Sequence, residues 1–174
     1  MIKGLKICGI SDFDTLNYIL NHPHPPKFIG FITNYEKSKR FVSYKKLKKL
    51  TNFKKKQTKF VSVLVNPTDE ILEKIKNLNF DYYQLYDVNP KRTIEIKGKY
   101  KIKIISALTI SNKKDVNKYK DYSKISDIIL FDSKGYHKSE SFDHNLLRNV
   151  PKELNKMIAG NIQIDYIPSF KNKD

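Results

Sequence analysis

Short apolar runs recur along the whole chain, and each is followed by a polar stretch whose apolar residues fall at helical spacing. Seven runs are expected to form strands: Leu5–Ile10, Lys27–Thr33, Lys59–Val65, Phe80–Tyr86, Lys101–Leu108, Asp127–Asp132 and Lys156–Gly160. Helices are expected between them. The first is capped by Asp12 or Asp14 and runs to about Asn21, with Leu16, Ile19 and Leu20 on one face, until the prolines at Pro23, Pro25 and Pro26 stop it. Others follow Ser43, open at Thr68-Asp69-Glu70, cover Pro90–Ile96, lie near Lys113–Tyr122, and run from an Asp143 cap to Leu147. A last helix or turn is expected at about 164–170. Strand alternating with helix implies a parallel sheet. Right-handed crossovers then leave an open doubly wound sheet or a closed (β/α)8 barrel, and periodicity alone does not choose.

The motif inventory narrows the chemistry. No GxGxxG follows the first strand and no GxxxxGK[ST] occurs, which lowers dinucleotide and P-loop readings. Without CxxC or HExxH spacing, no metal site is expected. A single cysteine allows no internal disulfide. There is no apolar run of about 18 residues to span a membrane and no secretory signal at the start, so the expected compartment is cytoplasmic. No linker or composition shift divides residues 1–174, which are taken as one domain.

The net charge of +16 raises a nucleic-acid reading, because phosphate contacts need such charge. Its composition argues against base readout. Only Arg40, Arg92 and Arg148 are arginines, and arginine is the usual bidentate reader of guanine and phosphate. The lysines are spread along the chain, as solvated outer faces would be. A basic α/β nucleic-acid-binding module, stacking bases on its 11 Tyr and 10 Phe, is kept as the alternative function.

In parallel α/β folds reactive groups collect at the carboxyl ends of strands. Cys8, Asn66 and Asp132 end strands one, three and six, Gln84 lies near the end of strand four, and Arg40 lies in the loop after strand two. Lys6 and Cys8 share a strand face by alternation, as do Asp132 and Lys134. An ammonium beside the thiol would favour the thiolate. The structural alternatives are a buried small hydrophobe for Cys8, a cap or turn for Asp132 and a surface ion pair for Arg40. Gly160-Asn161 after strand seven offers backbone N–H groups to a phosphate.

Lys6-Ile7-Cys8-Gly9-Ile10-Ser11 resembles the KICGIT signature of the phosphoribosylanthranilate isomerase family of tryptophan biosynthesis. Ser38-Lys39-Arg40-Phe41-Val42-Ser43 is similar to its S-[KP]-R-[YF]-[VI]-S, and Val63-Leu64-Val65-Asn66 to its VFVN. Gln84-Leu85 resembles the start of VQLHG, Leu130 to Lys134 its LLDTK, Phe142-Asp143 its FDW, and Ala159 to Ile162 its AGGL. The pieces span about Leu5 to Ile162 in the family's order.

The resemblance implies a (β/α)8 TIM barrel and an Amadori rearrangement of N-(5-phosphoribosyl)anthranilate, a small phosphorylated substrate. It implies Asp132 as general acid, Cys8 as general base and Arg40 as partner of the anthranilate carboxylate. Lys6, Asn66, Gln84, Gly160 and Asn161 complete the expected binding set. No cofactor is implied, since the substrate nitrogen is the electron sink. A different barrel enzyme for phosphorylated substrates, sharing the cysteine, is a third reading.

The sequence departs from the family pattern at Tyr86-Asp87 for His-Gly, His144 for Trp, Lys138 to Ser141 for a Gly-rich lead, and Asn161 for Gly. Barrels of this type run to about 200 residues or more. The expectation from length is therefore a barrel C-terminally truncated to about seven strands, lacking half its phosphate cradle. Weak or absent turnover and self-association through the open seam are expected with it.

Overall fold

The computed structural model describes residues 3–133 and 141–167. Within them, seven strands alternate with helical segments. They are β1 (Lys6–Cys8), β2 (Phe28–Ile32), β3 (Lys59–Val65), β4 (Tyr82–Tyr86), β5 (Lys103–Ile110), β6 (Ile128–Ser133) and β7 (Lys156–Ile158). The helices are α1 (Phe13–Asn21), α2 (Tyr44–Leu50), α3 (Asp69–Ile75), α4 (Pro90–Tyr100), α5 (Lys113–Asn117) and α6 (Tyr119–Tyr122), with 3-10 turns at His144–Leu147 and Ile164–Tyr166.

Local chemistry sets the helix starts. Asp12 accepts from Thr15 N–H, Thr68 from Ile71 N–H, Asn89 from Arg92 N–H and Asp143 from Asn145 N–H. Ser43 occupies the position before α2 but makes no side-chain capping bond. The expected helix over Pro90–Ile96 runs on to Tyr100, because Gly98 sits on the open face of the helix and costs only propensity there. The expected helix near 113–122 is two short pieces. Strand β5 begins two residues later than expected and continues to Ile110. The part of the last expected helix or turn beyond residue 167 lies outside the described residues.

All six strand pairings are parallel, in the order β1-β2-β3-β4-β5-β6-β7. The sheet curls. Phe28 of β2 meets Tyr82 of β4 with ring centroids 5.5 Å apart, although β3 lies between them. Tyr86 of β4 reaches Asp132 of β6 across β5. Side chains of alternate strands touch only on a concave face, as inside a (β/α) barrel.

Two apolar layers follow from alternation along each strand. The concave face holds Phe28, Val61, Ile105, Ala107, Ile128 and Leu130. The convex face packs on the helices in two clusters, one around Phe31, Phe60, Leu64 and Ile96, the other around Ile129, Phe131 and Val116. The amino ends of the strands are tied by carboxylates. Asp81 accepts from Phe60 N–H and Lys55, and Asp127 accepts from Ile104 N–H and Lys97. Among the described residues no helix is long and apolar enough to cross a membrane.

Candidate active site

The carboxyl ends of the strands surround one mouth. Lys6 and Cys8 both project onto the concave face of β1, while Ile7 packs outward against the helical layer. Their convergence is visible at Gly30, which pairs with Cys8 on β2. A β-carbon added at Gly30 would lie 2.9 Å from Lys6 Nζ and 3.0 Å from Cys8 Sγ. The sequence expectation that ammonium and thiol share one face is met, and that face is the barrel interior.

Arg40 reaches this corner by a fold in the loop after β2. Phe41 N–H donates to Ser38 O, and Val42 N–H donates to Ile32 O, so the segment returns along the end of β2. The guanidinium then lies over Gly9 and donates from Nη1 to Cys8 O at 3.0 Å. Gly9 has φ +86 and no side chain, and a β-carbon there would stand 2.6 Å from Arg40 Cδ. Arg40 is exposed toward solvent with its tip at the mouth, and its bond is to backbone rather than to a surface carboxylate.

Asp132 projects from β6 opposite Thr109 of β5 and is half-buried. Its Oδ2 accepts from the Tyr86 hydroxyl at 2.6 Å. Gln84, two residues earlier on the same face of β4, donates from Nε2 to that hydroxyl oxygen at 3.1 Å. Tyr86 thus ties β4 to β6 across β5. Burial is the largest cause that pushes its phenol well above the usual value near 10, and the charges of Asp132 and Cys8 push the same way. Cys8 of β1 and Asp132 of β6 both lie on the concave face at the carboxyl ends of their strands.

The other expected residues separate by depth. Gln84 is only 1% exposed and lies beneath Tyr86, so it contacts the mouth through that residue rather than lining it. Its Oε1 is buried and without a hydrogen-bond partner. Asn66 sits exposed at the rim, in left-handed backbone with φ +38, and its N–H donates to Tyr86 O. Gly160 and Asn161 both have positive φ at the end of β7. Gly160 presses against Ser133, whose buried Oγ is also without a partner. Lys134 lies outside the described residues.

Two residues were missed from sequence. Tyr86 was noted only as a departure from His-Gly, although alternation from Gln84 already put it on the inner face. Asn34 brackets Val65, donating to its O at 2.8 Å and accepting from its N–H at 2.9 Å, and so holds the end of β3. No pattern in the loop after β2 marks it. Among the described residues no group of three or more His, Cys, Asp or Glu is placed to hold a metal ion.

A family model described as N-(5'phosphoribosyl)anthranilate (PRA) isomerase matches residues 5–173. The chain belongs to the phosphoribosylanthranilate isomerase family. Among similar proteins, the N-(5'-phosphoribosyl)anthranilate isomerase of Rhizobium rhizogenes is 29% identical over 174 residues, covering 95% of this chain and 77% of that one. The isomerase of Clostridium acetobutylicum is 32% identical over 177 residues, covering 96% and 80%. Of solved structures, phosphoribosyl anthranilate isomerase from Thermotoga maritima superposes with a TM-score of 0.78 at 24% identity, covering 94% of this chain and 80% of that one. The enzyme from Thermus thermophilus gives 0.77 at 17% identity, covering 97% and 82%. The fold class is thus the (β/α) barrel, and the chain is an isomerase of this family. The family's KICGI, SKRFVS and LFDS pieces carry Cys8, Arg40 and Asp132 to the same mouth.

Proposed function

We propose that the chain catalyses the Amadori rearrangement of N-(5-phosphoribosyl)anthranilate to 1-(2-carboxyphenylamino)-1-deoxyribulose 5-phosphate. Asp132, protonated, gives its proton to the ribose ring oxygen. The C1–O bond breaks as the anthranilate nitrogen donates its lone pair, and an open-chain iminium forms. Cys8, as thiolate, takes the C2 proton to give an enolamine, which tautomerises to the ketone. The acid must hold a proton and the base must lack one, so the two groups need different surroundings. The Lys6 ammonium beside Cys8 stabilises negative charge on sulfur. Neither step calls for a metal or an organic cofactor, because the substrate nitrogen accepts the electrons.

The remaining contacts follow from position. Arg40, at the Cys8 corner, pairs with the anthranilate carboxylate. Asn66 meets the substrate from the rim, and Gln84 acts through Tyr86. Gly160 and Asn161 turn their backbone toward the phosphate end. The chain is read as one barrel domain working in the cytoplasm.

The observation that carries this reading is that Cys8 and Asp132 both lie on the concave face at the carboxyl ends of β1 and β6, with the Tyr86 hydroxyl on Asp132 at 2.6 Å. Cys8→Ala and Asp132→Asn test it. Each variant is expected to lose isomerase turnover by roughly 10²–10⁴-fold or more, the range set by removing a general acid or base. Unchanged far-UV circular dichroism would show the fold intact. Turnover surviving in either variant would remove that residue from the chemistry.

A further inference from the structure

We infer that Tyr86 is the positioning residue of the acid step: with Gln84 donating to its oxygen, its hydroxyl holds Asp132 by Oδ2 and turns Oδ1 toward the substrate. This rests on Asp132 being the acid, as proposed above.

A phenol has one hydrogen to give. Gln84 Nε2 is a donor, so the Tyr86 oxygen accepts from it at 3.1 Å. The phenolic hydrogen goes to Asp132 Oδ2 at 2.6 Å. The arrangement leaves Gln84 Oε1 buried with no partner, which is costly. Turning the amide would give Oε1 the phenolic hydrogen and withdraw it from Asp132. The orphaned oxygen is thus the other half of the orientation that keeps Tyr86 donating to the carboxylate.

Consequences follow for the proton. With Oδ2 occupied by a donor, a proton on Asp132 sits on Oδ1, the oxygen left for the sugar ring. After transfer, the new carboxylate keeps a short bond from Tyr86, so Tyr86 favours the state after proton loss over the state before it. Among the described residues, the further titratable group acting on this hydroxyl is Cys8 from β1, with Lys6 on the same strand face and Arg40 bonded to the Cys8 carbonyl. Among the described residues, the inner faces of β3, β5 and β7 present uncharged side chains at this level.

Tyr86→Phe tests the inference in the whole chain. The alkaline limb of the kcat/KM profile is expected to move up by about one to two pH units, the size of a lost charge-assisted bond. The maximal kcat is expected to fall roughly tenfold with KM nearly unchanged. Tyr86→His, which restores an N–H donor, is expected to bring the limb part of the way back. In proton NMR of the wild type, a downfield hydroxyl resonance protected from exchange is expected. It should vanish in Tyr86→Phe and move in Asp132→Asn. A limb that stays in place, or a wild type without that resonance, overturns the inference. If the wild type shows no turnover, the activity reading fails instead, and the resonance with its response to Asp132→Asn still decides whether Tyr86 holds the carboxyl.

Discussion

Gly160 shows how much one side chain can decide at the rim. Its φ is +94, and a β-carbon would lie 2.7 Å from the backbone nitrogen of Ser133. Backbone cannot swing aside as a lysine tip can. Gly160→Ala is therefore expected to destabilise the protein by at least about 2 kcal/mol, from left-handed strain plus overpacking, read as a lowered urea midpoint. At this scale the sequence was legible where a residue type is unusual for its place. Cys8 and Asp132 end apolar strands, and Arg40 is one of three arginines, so each stood out. Tyr86 did not, because a tyrosine at the end of FDYYQLY looks like one more strand aromatic. Its hydroxyl matters only once β6 brings Asp132 within reach.

Among the elements, α4 and its neighbour α3 are joined by a cluster of charges that periodicity does not disclose. Glu73 accepts from Lys76 at 2.7 Å, pairs with Lys99 at 3.0 Å and accepts from Tyr100 Oη at 2.9 Å. Lys76, then Lys99 and Tyr100, hold its carboxyl down to about 2, against 4.5 ordinarily. A depressed acid stabilises the fold above its unfolded value and loses that contribution as pH falls through the folded one. The stability difference between wild type and Glu73→Gln is therefore expected to be full above about pH 4.5. It should close as pH drops to about 2, followed by denaturant midpoints across that window. The end of α4 offers a cleaner test. Lys101 closes the helix in left-handed backbone, φ 48 and ψ 39, with its side chain exposed. Lys101→Gly is expected to stabilise the protein by about 0.5–1 kcal/mol, since glycine takes that conformation without a β-carbon penalty. The sequence marked the start of α4 through Asn89 and Pro90 but misplaced its end. Lys97-Gly98-Lys99 looks like a breaker, yet Lys97 pairs with Asp127 and Lys99 with Glu73, and these contacts carry the helix past the glycine.

Over the whole molecule, the excess of positive charge opposes compactness. Among the described residues, Lys55, Lys59, Lys76, Lys97, Lys99 and Lys118 are paired with carboxylates. Exposed pairs are worth about 0–1 kcal/mol each, and salt weakens them. Salt also screens the mutual repulsion behind a net charge of +16, which involves every unpaired lysine at once. Repulsion is expected to win. Raising sodium chloride from about 0.02 to about 0.5 M should lift Tm, with each 1 kcal/mol gained reading as roughly 2–4 °C. A falling Tm would show that the pairs outweigh the repulsion. The parallel β/α order was legible throughout, because strand and helix periods differ along the chain. What periodicity left open, open sheet against barrel, depends on which side chains meet across an intervening strand, as Phe28 does with Tyr82 and Tyr86 with Asp132.

The strands stand side by side in the order in which they are synthesised. Each newly made strand therefore finds its template already waiting, so the wall can grow as the ribosome delivers it. Cys8 is made well before Asp132, and the Tyr86 hydroxyl meets that carboxylate only when β6 docks. Until that late event the proposed base stands on a half-built wall, without the proposed acid.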